Sequence, residues 1–382
     1  MRIVVAPDSF KGSISALGVA EAMEEGILRI FNEAEVIKIP IADGGEGTVE
    51  ALVGATNGKL HTDTVSGPLG DPVEAVWGIL GDGQTAVIEM AAASGLPLLL
   101  SPDRRDPLRA STLGTGQLLR KVLDAGLPRL IMGIGGSATN DGGAGFISAL
   151  GARFLDADGK ELPPGGAALS RLHSIDLSGL DPRLAKLEIM VACDVDNPLC
   201  GPRGASAVFG PQKGATPTLV EELDAALNHF GRIATEASGR QVMETAGAGA
   251  AGGLGAGLLF FTPARLRPGV EIVLETLNFS SVVSSAALVI TGEGLSDFQT
   301  AYGKAPVGVA RVAKKYGVPV VCLSGGLGKG YQDVYAQGID AVLACPPRPM
   351  SLQECMEAGK AQVADAAERL CRVLKAGGAM KR

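Results

Sequence analysis

The chain has 382 residues, 46% of them apolar and only 4% aromatic, which is enough for two or three domains with mainly aliphatic cores. The net charge is −7 and no basic run stands out, so a nucleic-acid surface is not expected. No segment approaches the ~18 apolar residues of a membrane span or resembles a signal peptide. The six cysteines form no C-x-x-C pair, which argues against zinc, and as free thiols they favour the cytoplasm.

The first part of the chain alternates predicted strands and helices. Ile3–Ala6 is a short apolar run typical of a buried parallel strand, and Ser13 or Ser15 can cap a helix that continues to about Phe31. A second strand over 35–40 is followed by Asp43-Gly-Gly-Glu-Gly, which opens a second helix. This rhythm predicts an α/β protein.

The region from His61 to Met90 has a different pattern. It offers three strand candidates, over 60–65, 73–80 and 85–90, separated by Gly-Pro and Gly-Asp turns. Such short connections indicate an antiparallel or mixed sheet.

The α/β rhythm then resumes and continues to the end of the chain. No internal repeat of fixed period is visible. The predicted elements are a helix over 111–125, a strand over 129–134, a small-residue helix over 144–150, a strand over 187–192, a helix over 218–237, a strand over 286–291, a helix over 305–316, strands over 318–323 and 340–344, and a closing helix over 353–374.

The most informative motif is the glycine-rich run 133–145, between a predicted strand and a predicted helix. Glycines there can expose backbone N–H groups to an anion, and the hydroxyls of Ser137 and Thr139 can bind phosphate oxygens. Asn140 or Asp141 can cap the following helix. The simpler interpretation is a tight turn with an N-cap, but the chain has several such loops.

Ligands of α/β sheets bind at the carboxyl ends of the strands, and the residues there combine glycines, hydroxyls, a lysine and carboxylates. This is the set of groups required for Mg²⁺-dependent phosphoryl transfer. Each group also has a structural interpretation, as a surface lysine, a helix cap or a turn. The residues are Asp8, Ser9, Lys11, Gly12, Ser13, Asp43, Glu46, Thr112, Gly114, Thr115, Gly116, the loop 135–143, Asp194, Asp196, Glu293 and Asp297.

Two motifs are incomplete. Lys11-Gly-Ser13 lacks the glycines of a Walker A loop. Gly247-Ala-Gly-Ala-Ala-Gly252 matches G-x-G-x-x-G, with Glu271 about 20 residues further on, and would suit a dinucleotide enzyme. Because residues 239–245 do not form a convincing strand, a closely packed glycine turn is the favoured interpretation.

An ordered set of motifs along nearly the whole chain resembles the bacterial glycerate kinases of the first type, the D-glycerate 2-kinase family. Each motif is modest, but their order is specific. They are 6–13 (APDSFKGS), 42–48 (ADGGEGT), 89–96 (EMAAASGL), 112–116 (TLGTG), 135–143 (GGSATNDGG), 193–198 (CDVDNP), 209–215 (FGPQKGA), 247–253 (GAGAAGG), 291–294 (TGEG) and 303–306 (GKAP).

The resemblance implies an ATP-dependent kinase that acts on D-glycerate, with Mg²⁺ as cofactor and 2-phosphoglycerate as product. It also implies two α/β domains with the active site in the cleft between them. One domain has a flavodoxin-like, doubly wound parallel sheet and is discontinuous, over 1–65 plus 285–382. The other is inserted over 66–284 and has a mixed sheet.

For such a kinase we assign each group a role. Asp194 is the predicted general base, with Asp43 or Asp297 in reserve, and Lys11 neutralises the charge of the transferred group. The remaining predictions are phosphate binding by Gly135, Gly136, Ser137, Ala138 and Thr139, Mg²⁺ binding by Glu293 and Asp297, and substrate binding by Asp8, Ser9, Arg109, Thr112 and Thr115.

One position departs from the family. After Gly-Glu-Gly the family usually has arginine, a hydrophobic residue, Asp, any residue and Gln, whereas this chain has Leu295-Ser-Asp-Phe-Gln299. The missing arginine predicts weaker ligand binding or another hydroxy acid as substrate. A non-catalytic sensor and, less favoured, a dinucleotide-dependent oxidoreductase are the alternatives. Either a monomer or a homodimer fits the sequence.

Overall fold

The computed structural model describes residues 1–99 and 101–379. Leu100 of the predicted inserted domain and residues 380–382 of the predicted discontinuous domain lie outside the described residues. The chain divides into two compact units. The first comprises Met1–Asp43, Glu50–Thr56 and Val270–Arg382, and the second comprises Gly44–Val49 and Asn57–Gly269.

Ten of the thirteen strands in the described residues were predicted. In chain order they are β1 Arg2–Pro7, β2 Glu35–Lys38, β3 Lys59–Ser66, β4 Pro72–Ile79, β5 Thr85–Glu89, β6 Arg129–Gly133, β7 Arg153–Leu155, β8 Ser174–Asp176, β9 Glu188–Ala192, β10 Arg265–Arg267, β11 Leu288–Glu293, β12 Val320–Ser324 and β13 Ala341–Ala344. The three that were not predicted, β7, β8 and β10, are each three residues long.

The α-helices occupy most of the segments between these strands. In chain order they are α1 Ala16–Leu28, α2 Thr48–Ala55, α3 Ala91–Ser94, α4 Leu113–Asp124, α5 Ala144–Ala149, α6 Ala205–Phe209, α7 Pro217–Ser238, α8 Ala250–Phe261, α9 Gly269–Thr276, α10 Phe279–Val283, α11 Ala305–Lys315, α12 Leu352–Glu357 and α13 Gly359–Ala379. Ser15 caps α1, since its Oγ accepts from the Gly18 N–H at 3.2 Å.

The first unit has a five-stranded sheet in the order β13-β12-β11-β1-β2. All its neighbouring strands are parallel. Counted within the unit, this order is the flavodoxin-like 2-1-3-4-5, which confirms the predicted doubly wound fold. The strand order reverses between β1 and β11, and such a switch point is where sheets of this kind bind ligands.

The core of the first unit is aliphatic, as predicted. Ile3, Val4, Val5 and Ala6 of β1 are fully buried, because both faces of the central strand are covered. Helices α1 and α13 pack closely, since a Cβ on Gly26 would lie 2.1 Å from the Ala364 carbonyl oxygen.

The second unit has a six-stranded mixed sheet in the order β10-β9-β6-β5-β4-β3. The four strands β5, β6, β9 and β10 are parallel, whereas β3 and β4 extend the sheet antiparallel, which confirms the predicted mixed sheet. Glu89, Gly133 and Ala192 are paired neighbours at the carboxyl ends of the parallel strands. Strands β7 and β8 form a separate antiparallel ribbon.

The division into units differs in three places from the predicted domains, 1–65 plus 285–382 and 66–284. Gly44–Val49, predicted in the discontinuous domain, belongs to the second unit. Strand β3 belongs to the second unit because all of it pairs with β4. Residues 270–284 belong to the first, where Val270 packs against Gly308 of α11. In the part of the chain that the structure describes, no helix is both long and apolar enough to cross a membrane.

Candidate active site

The switch point of the first unit carries a half-buried carboxylate, Asp8. The residue follows β1 directly, and its N–H donates to the carbonyl of Gly292 in β11 at 2.8 Å. The Ser9 N–H in turn donates to Asp8 Oδ1 at 2.6 Å. These two bonds fix the predicted substrate residues Asp8 and Ser9 at the carboxyl edge of the sheet.

Asp8 lies in a negative environment. Burial raises the pKa of its carboxyl to about 7, and repulsion from Asp43 and Glu293 adds to the rise, although the Ser9 hydrogen bond opposes it. The structure therefore brings three of the predicted site carboxylates together. A cation bound nearby would relieve this repulsion.

Glu293, at the end of β11, is 6% exposed and held by hydroxyl groups. Its Oε1 accepts from Ser296 Oγ at 2.9 Å and from Thr300 Oγ1 at 2.7 Å. Its Oε2 lies 4.0 Å from the Lys304 ammonium. Burial raises the pKa of this carboxyl, and these hydroxyls and Lys304 counteract the rise. Sequence reasoning missed all three partners, although Ser296 and Thr300 follow Glu293 by only three and seven residues.

Asp297, the second predicted metal ligand, caps the 3₁₀ helix Phe298–Tyr302. Its Oδ1 accepts from the Gln299 N–H at 2.8 Å, while its own N–H donates to Thr300 Oγ1 at 3.1 Å. Over residues 1–99 and 101–379, no three His, Cys, Asp or Glu side chains are grouped closely enough to hold a metal ion between them. Mg²⁺ usually keeps several waters and takes one or two carboxylates plus phosphate oxygens, so the hard oxygen donors here fit it.

Lys11 lies in the loop after β1. The loop is closed by a bridge in which the Phe10 N–H donates to the Ile14 carbonyl at 2.9 Å, and the Lys11 side chain is exposed. A Cβ on Gly294 would lie 3.5 Å from the backbone nitrogen of Lys11, so the loop runs beside the end of β11. The predicted cation is therefore on the same edge as the carboxylates.

The second unit carries the glycine loop after β6. Within the described residues, the N–H groups of Gly135, Gly136, Ser137 and Thr139 have no acceptor in the protein. The Ala138 N–H, in contrast, donates to the Ser94 carbonyl at 2.9 Å. A loop with several uncommitted amides is what an anion requires, as predicted from the sequence.

A buried lysine that the sequence did not single out as a site residue lies behind this loop. The Lys213 ammonium donates to Ser137 Oγ at 2.8 Å and to the Thr139 carbonyl at 2.6 Å. Lys213 is 1% exposed, and burial lowers its pKa to about 7, with Asp141 opposing the shift. The Thr139 hydroxyl is also buried and has no partner in the part of the chain that the structure describes.

Asp141 is the residue that fixes the end of the loop. Its fully buried carboxylate accepts from the N–H groups of Gly143 and Gly145, at 3.1 and 3.3 Å. It also accepts from the N–H and the hydroxyl of Thr112, at 2.8 and 2.9 Å. The N-cap position of α5 is Gly143 rather than either predicted residue, but Asp141 still accepts from an amide of the first turn, whereas Asn140 donates to Ser206 Oγ at 2.9 Å.

Thr112 and Thr115 are both fully buried. The Thr112 hydroxyl is bonded to Asp141, and the Thr115 hydroxyl donates to Ser94 Oγ at 2.8 Å. Both hydroxyls are thus committed to partners inside the unit, and their predicted contact with substrate stays a prediction. Arg109, the third predicted substrate residue of this unit, is exposed, and its N–H donates to Asp106 Oδ1.

Asp194, the predicted base, follows β9 and is exposed. Its Oδ1 accepts from the N–H of Gly269, the first residue of α9, at 2.9 Å. A carboxylate at a helix N-terminus interacts favourably with the helix dipole and stabilises the helix, so Asp194 has at least a structural role here.

The dinucleotide-like run 247–252 has no strand before it, since the described residues 240–249 form only turns and irregular structure. Its glycines allow close packing instead. A Cβ on Gly252, which has φ +67°, would lie 1.9 Å from the Thr139 carbonyl oxygen. The run is therefore closely packed, as the favoured interpretation stated, and it packs against the glycine loop.

Leu295, which stands where the resemblance leads us to expect an arginine, is 50% exposed beside Gly326. The next residue, Ser296, is 1% exposed and donates its N–H to the Gly326 carbonyl at 3.0 Å. Its side chain is one of the two hydroxyls on Glu293.

Comparison with known proteins gives one consistent family. Residues 3–375 match the model of the glycerate kinase family. A glycerate kinase of Bacillus subtilis (strain 168) is 56% identical over 94% of this chain and 93% of its own length. A glycerate 2-kinase of Escherichia coli (strain K12) is 49% identical over 99% of both chains.

A crystal structure described as that of a candidate glycerate kinase 2 from Salmonella typhimurium LT2 has the same fold. It superimposes with a TM-score of 0.90 at 50% sequence identity, covering 99% of each chain. Because the family model and these relatives span almost the whole sequence, the chain belongs to the glycerate kinase family and is an enzyme of the phosphotransferase class.

Proposed function

We propose that this enzyme transfers the γ-phosphoryl group of ATP to the C2 hydroxyl of D-glycerate, giving 2-phosphoglycerate and ADP with the aid of Mg²⁺. The substrate and the transferred group are inferred from relatives that are named glycerate kinases. The structural observation that carries the proposal is the loop 135–139, whose four uncommitted amides suit a polyphosphate.

In this proposal the loop of the second unit binds phosphate oxygens through the N–H groups of Gly135, Gly136, Ser137 and Thr139. The hydroxyl of Thr139, buried and without a partner among the described residues, is a further donor. Lys11 is the proposed cation that neutralises charge on the transferred group, since its exposed ammonium is a compact, flexible positive charge.

Glu293 and Asp297 are the proposed magnesium ligands. Glu293 offers Oε2, because Oε1 already accepts two hydrogen bonds. When bound, the ion neutralises negative charge on the polyphosphate. The Ser296 and Thr300 hydroxyls hold the Glu293 carboxylate in place for this role, and the nearby Lys304 ammonium offsets part of its negative charge.

The reaction requires a base for the C2 hydroxyl. As O2 bonds to the γ-phosphorus and the bond to the β,γ-bridging oxygen breaks, the hydroxyl proton passes to a carboxylate, and ADP leaves. Asp194 is the proposed base, with Asp43 and Asp297 in reserve. Asp8 joins these candidates because its pKa of about 7 matches the working range of a general base. The residues proposed to bind the substrate are Ser9, Arg109, Thr112 and Thr115.

The test is ADP release from ATP and Mg²⁺ with and without D-glycerate, followed by phosphorus NMR of the product. L-glycerate is the control for stereochemistry, and NAD⁺ in place of ATP tests the oxidoreductase alternative. Glycerate-dependent ADP release with the phosphate on O2 is the expected result. A phosphate on O3 would overturn the regiochemistry, and folded protein without turnover would favour the sensor or an altered substrate.

A further inference from the structure

Lys213 is a charged group that the proposed chemistry does not use directly. It ends the 3₁₀ helix Pro211–Lys213 and is followed by Gly214, which has φ +96°. The turn places the ammonium inside the second unit, where it is 1% exposed. A side chain that is 1% exposed offers almost no surface to a ligand, so Lys213 acts through its neighbours.

A buried ammonium is costly for the fold. Its desolvation lowers the pKa to about 7, and attraction to Asp141 offsets only part of that loss. A neutral side chain could bridge the same two acceptors with less desolvation. The cost of keeping a lysine here therefore indicates a requirement beyond stability.

The two acceptors of Lys213 show what that requirement is. Ser137 Oγ and the Thr139 carbonyl flank Ala138, whose N–H is itself tied to Ser94. The middle of the glycine loop is thus pinned at three consecutive residues. The amides that remain uncommitted belong to the same short segment.

We propose that Lys213 is a positioning residue for the nucleotide, which holds the backbone of residues 137–139 in the conformation that binds the ATP polyphosphate. The inference rests on the proposed function. Because the loop is fixed before the ligand arrives, its ordering does not subtract from the binding free energy. Loss of the ammonium therefore weakens nucleotide binding without removing any atom that contacts the nucleotide.

The experiment compares the full-length wild-type enzyme with Lys213→Met, which removes charge and donors, and with Lys213→Gln, which keeps two neutral donors. Lys186→Met, an exposed lysine of the same unit, is the matched control. The readouts are the dissociation constant of Mg·ATP by calorimetry, kcat, the KM for each substrate and the unfolding midpoint.

Since hydrogen bonds to charged groups are worth more than neutral ones, we expect about a 10- to 100-fold weaker Mg·ATP affinity in Lys213→Met and about a 2- to 10-fold loss in Lys213→Gln. The KM for D-glycerate and all values for Lys186→Met should stay within about twofold of wild type. Hydrogen exchange of the 135–140 peptide should be faster in Lys213→Met without ligand.

A lower unfolding midpoint with unchanged Mg·ATP affinity would overturn the proposal and leave Lys213 a merely structural residue. If Lys213→Met does not fold, Ser137→Ala, Lys213→Gln and their combination form a cycle, and additive losses of ATP affinity would refute the coupling. Wild-type enzyme that binds no Mg·ATP would overturn the proposed function as well, which separates the two failures.

Discussion

Replacing Asp8 by asparagine should make the first unit more stable and the enzyme less active. The amide oxygen of the new side chain can still accept from the Ser9 N–H, so the local hydrogen bond is kept. What is removed is a carboxylate whose pKa is raised from 3.8 to about 7 by burial and by Asp43 and Glu293. Such a charge destabilises the fold, and its retention points to function.

The magnitude follows from the pKa difference between the unfolded and folded states. Between pH 3.8 and about 7 the unfolded carboxyl binds fewer protons than the folded one, so wild-type stability falls as pH rises through this window. The penalty is absent below the window and complete above it. A shift of this size corresponds to roughly 4 kcal/mol, or about a 1000-fold change in an opening equilibrium.

Hydrogen exchange of the β1 and β11 peptides, measured in EDTA by mass spectrometry, is the suitable assay. Fluorescence is not, because the single tryptophan, Trp77, lies in the second unit. The ratio of variant to wild-type rates cancels the intrinsic effect of pH. Exchange in Asp8→Asn should be up to about 1000-fold slower at pH 8.5 and equal to wild type at pH 3.5.

The control for this prediction is Asp365→Asn, on the surface of α13, where a pair with Arg369 is broken. That variant should lose at most about 0.5 kcal/mol. Turnover of Asp8→Asn should fall at least about 100-fold if Asp8 orients or deprotonates the substrate. Faster exchange in Asp8→Asn than in wild type at pH 8.5 would refute the argument that the carboxylate is held at a cost.

Three further predictions concern the loops. Gly252→Ala should either unfold the second unit or lower its free energy of unfolding, in denaturant titrations, by well over the ~1 kcal/mol expected for Gly239→Ala. Both glycines have positive φ, but only at Gly252 would a Cβ lie 1.9 Å from a backbone oxygen. Equal losses of stability in the two variants would contradict this reasoning. Asp194→Asn should lower kcat about 10²- to 10⁴-fold and change its pH profile, whereas an unchanged kcat would exclude Asp194 as the base. If an arginine at position 295 would bind the substrate, Leu295→Arg should lower the KM for D-glycerate about 5- to 20-fold in steady-state assays. An unchanged KM would refute the prediction that Leu295 weakens ligand binding.

Much of the first unit could be predicted because the residues that end its strands are recognisable in the sequence. Four consecutive apolar residues followed by Pro-Asp fix the end of β1, and Gly292-Glu-Gly294 fixes the end of β11. Since ligands of parallel sheets bind at these ends, Asp8 and Glu293 could be named as candidate site residues from the sequence alone. The strand order, which makes β1 and β11 neighbours, required the structure, because residues 285 positions apart are joined here.

The second unit was harder to predict, because its loop depends on partners far away in sequence. Lys213 is 76 residues from Ser137, and nothing in its own surroundings except a Gly-Pro-Gln-Lys-Gly run distinguishes it from a surface lysine. Thr112 also has a partner that is distant in sequence. A hydroxyl at a helix start suggests a ligand, but the partner of this one is the buried carboxylate of Asp141, 29 residues further on.

In both units, the groups proposed to bind a ligand are adjacent to atoms whose hydrogen bonds are already made within the protein. The Glu293 carboxylate has one oxygen saturated by hydroxyls and the other facing Lys304, and the glycine loop has Ala138 bonded to the protein while the amides on either side are not. Residue type cannot reveal which atom is left over, so a pattern of hydroxyls, amides and carboxylates predicts a site but not its contacts. The same reasoning applies to Leu295, where the resemblance leads us to expect an arginine followed by an apolar residue. The residue that follows Leu295 in this chain is Ser296, whose hydroxyl donates to Glu293. The departure expected from the resemblance therefore also concerns how this carboxylate is held.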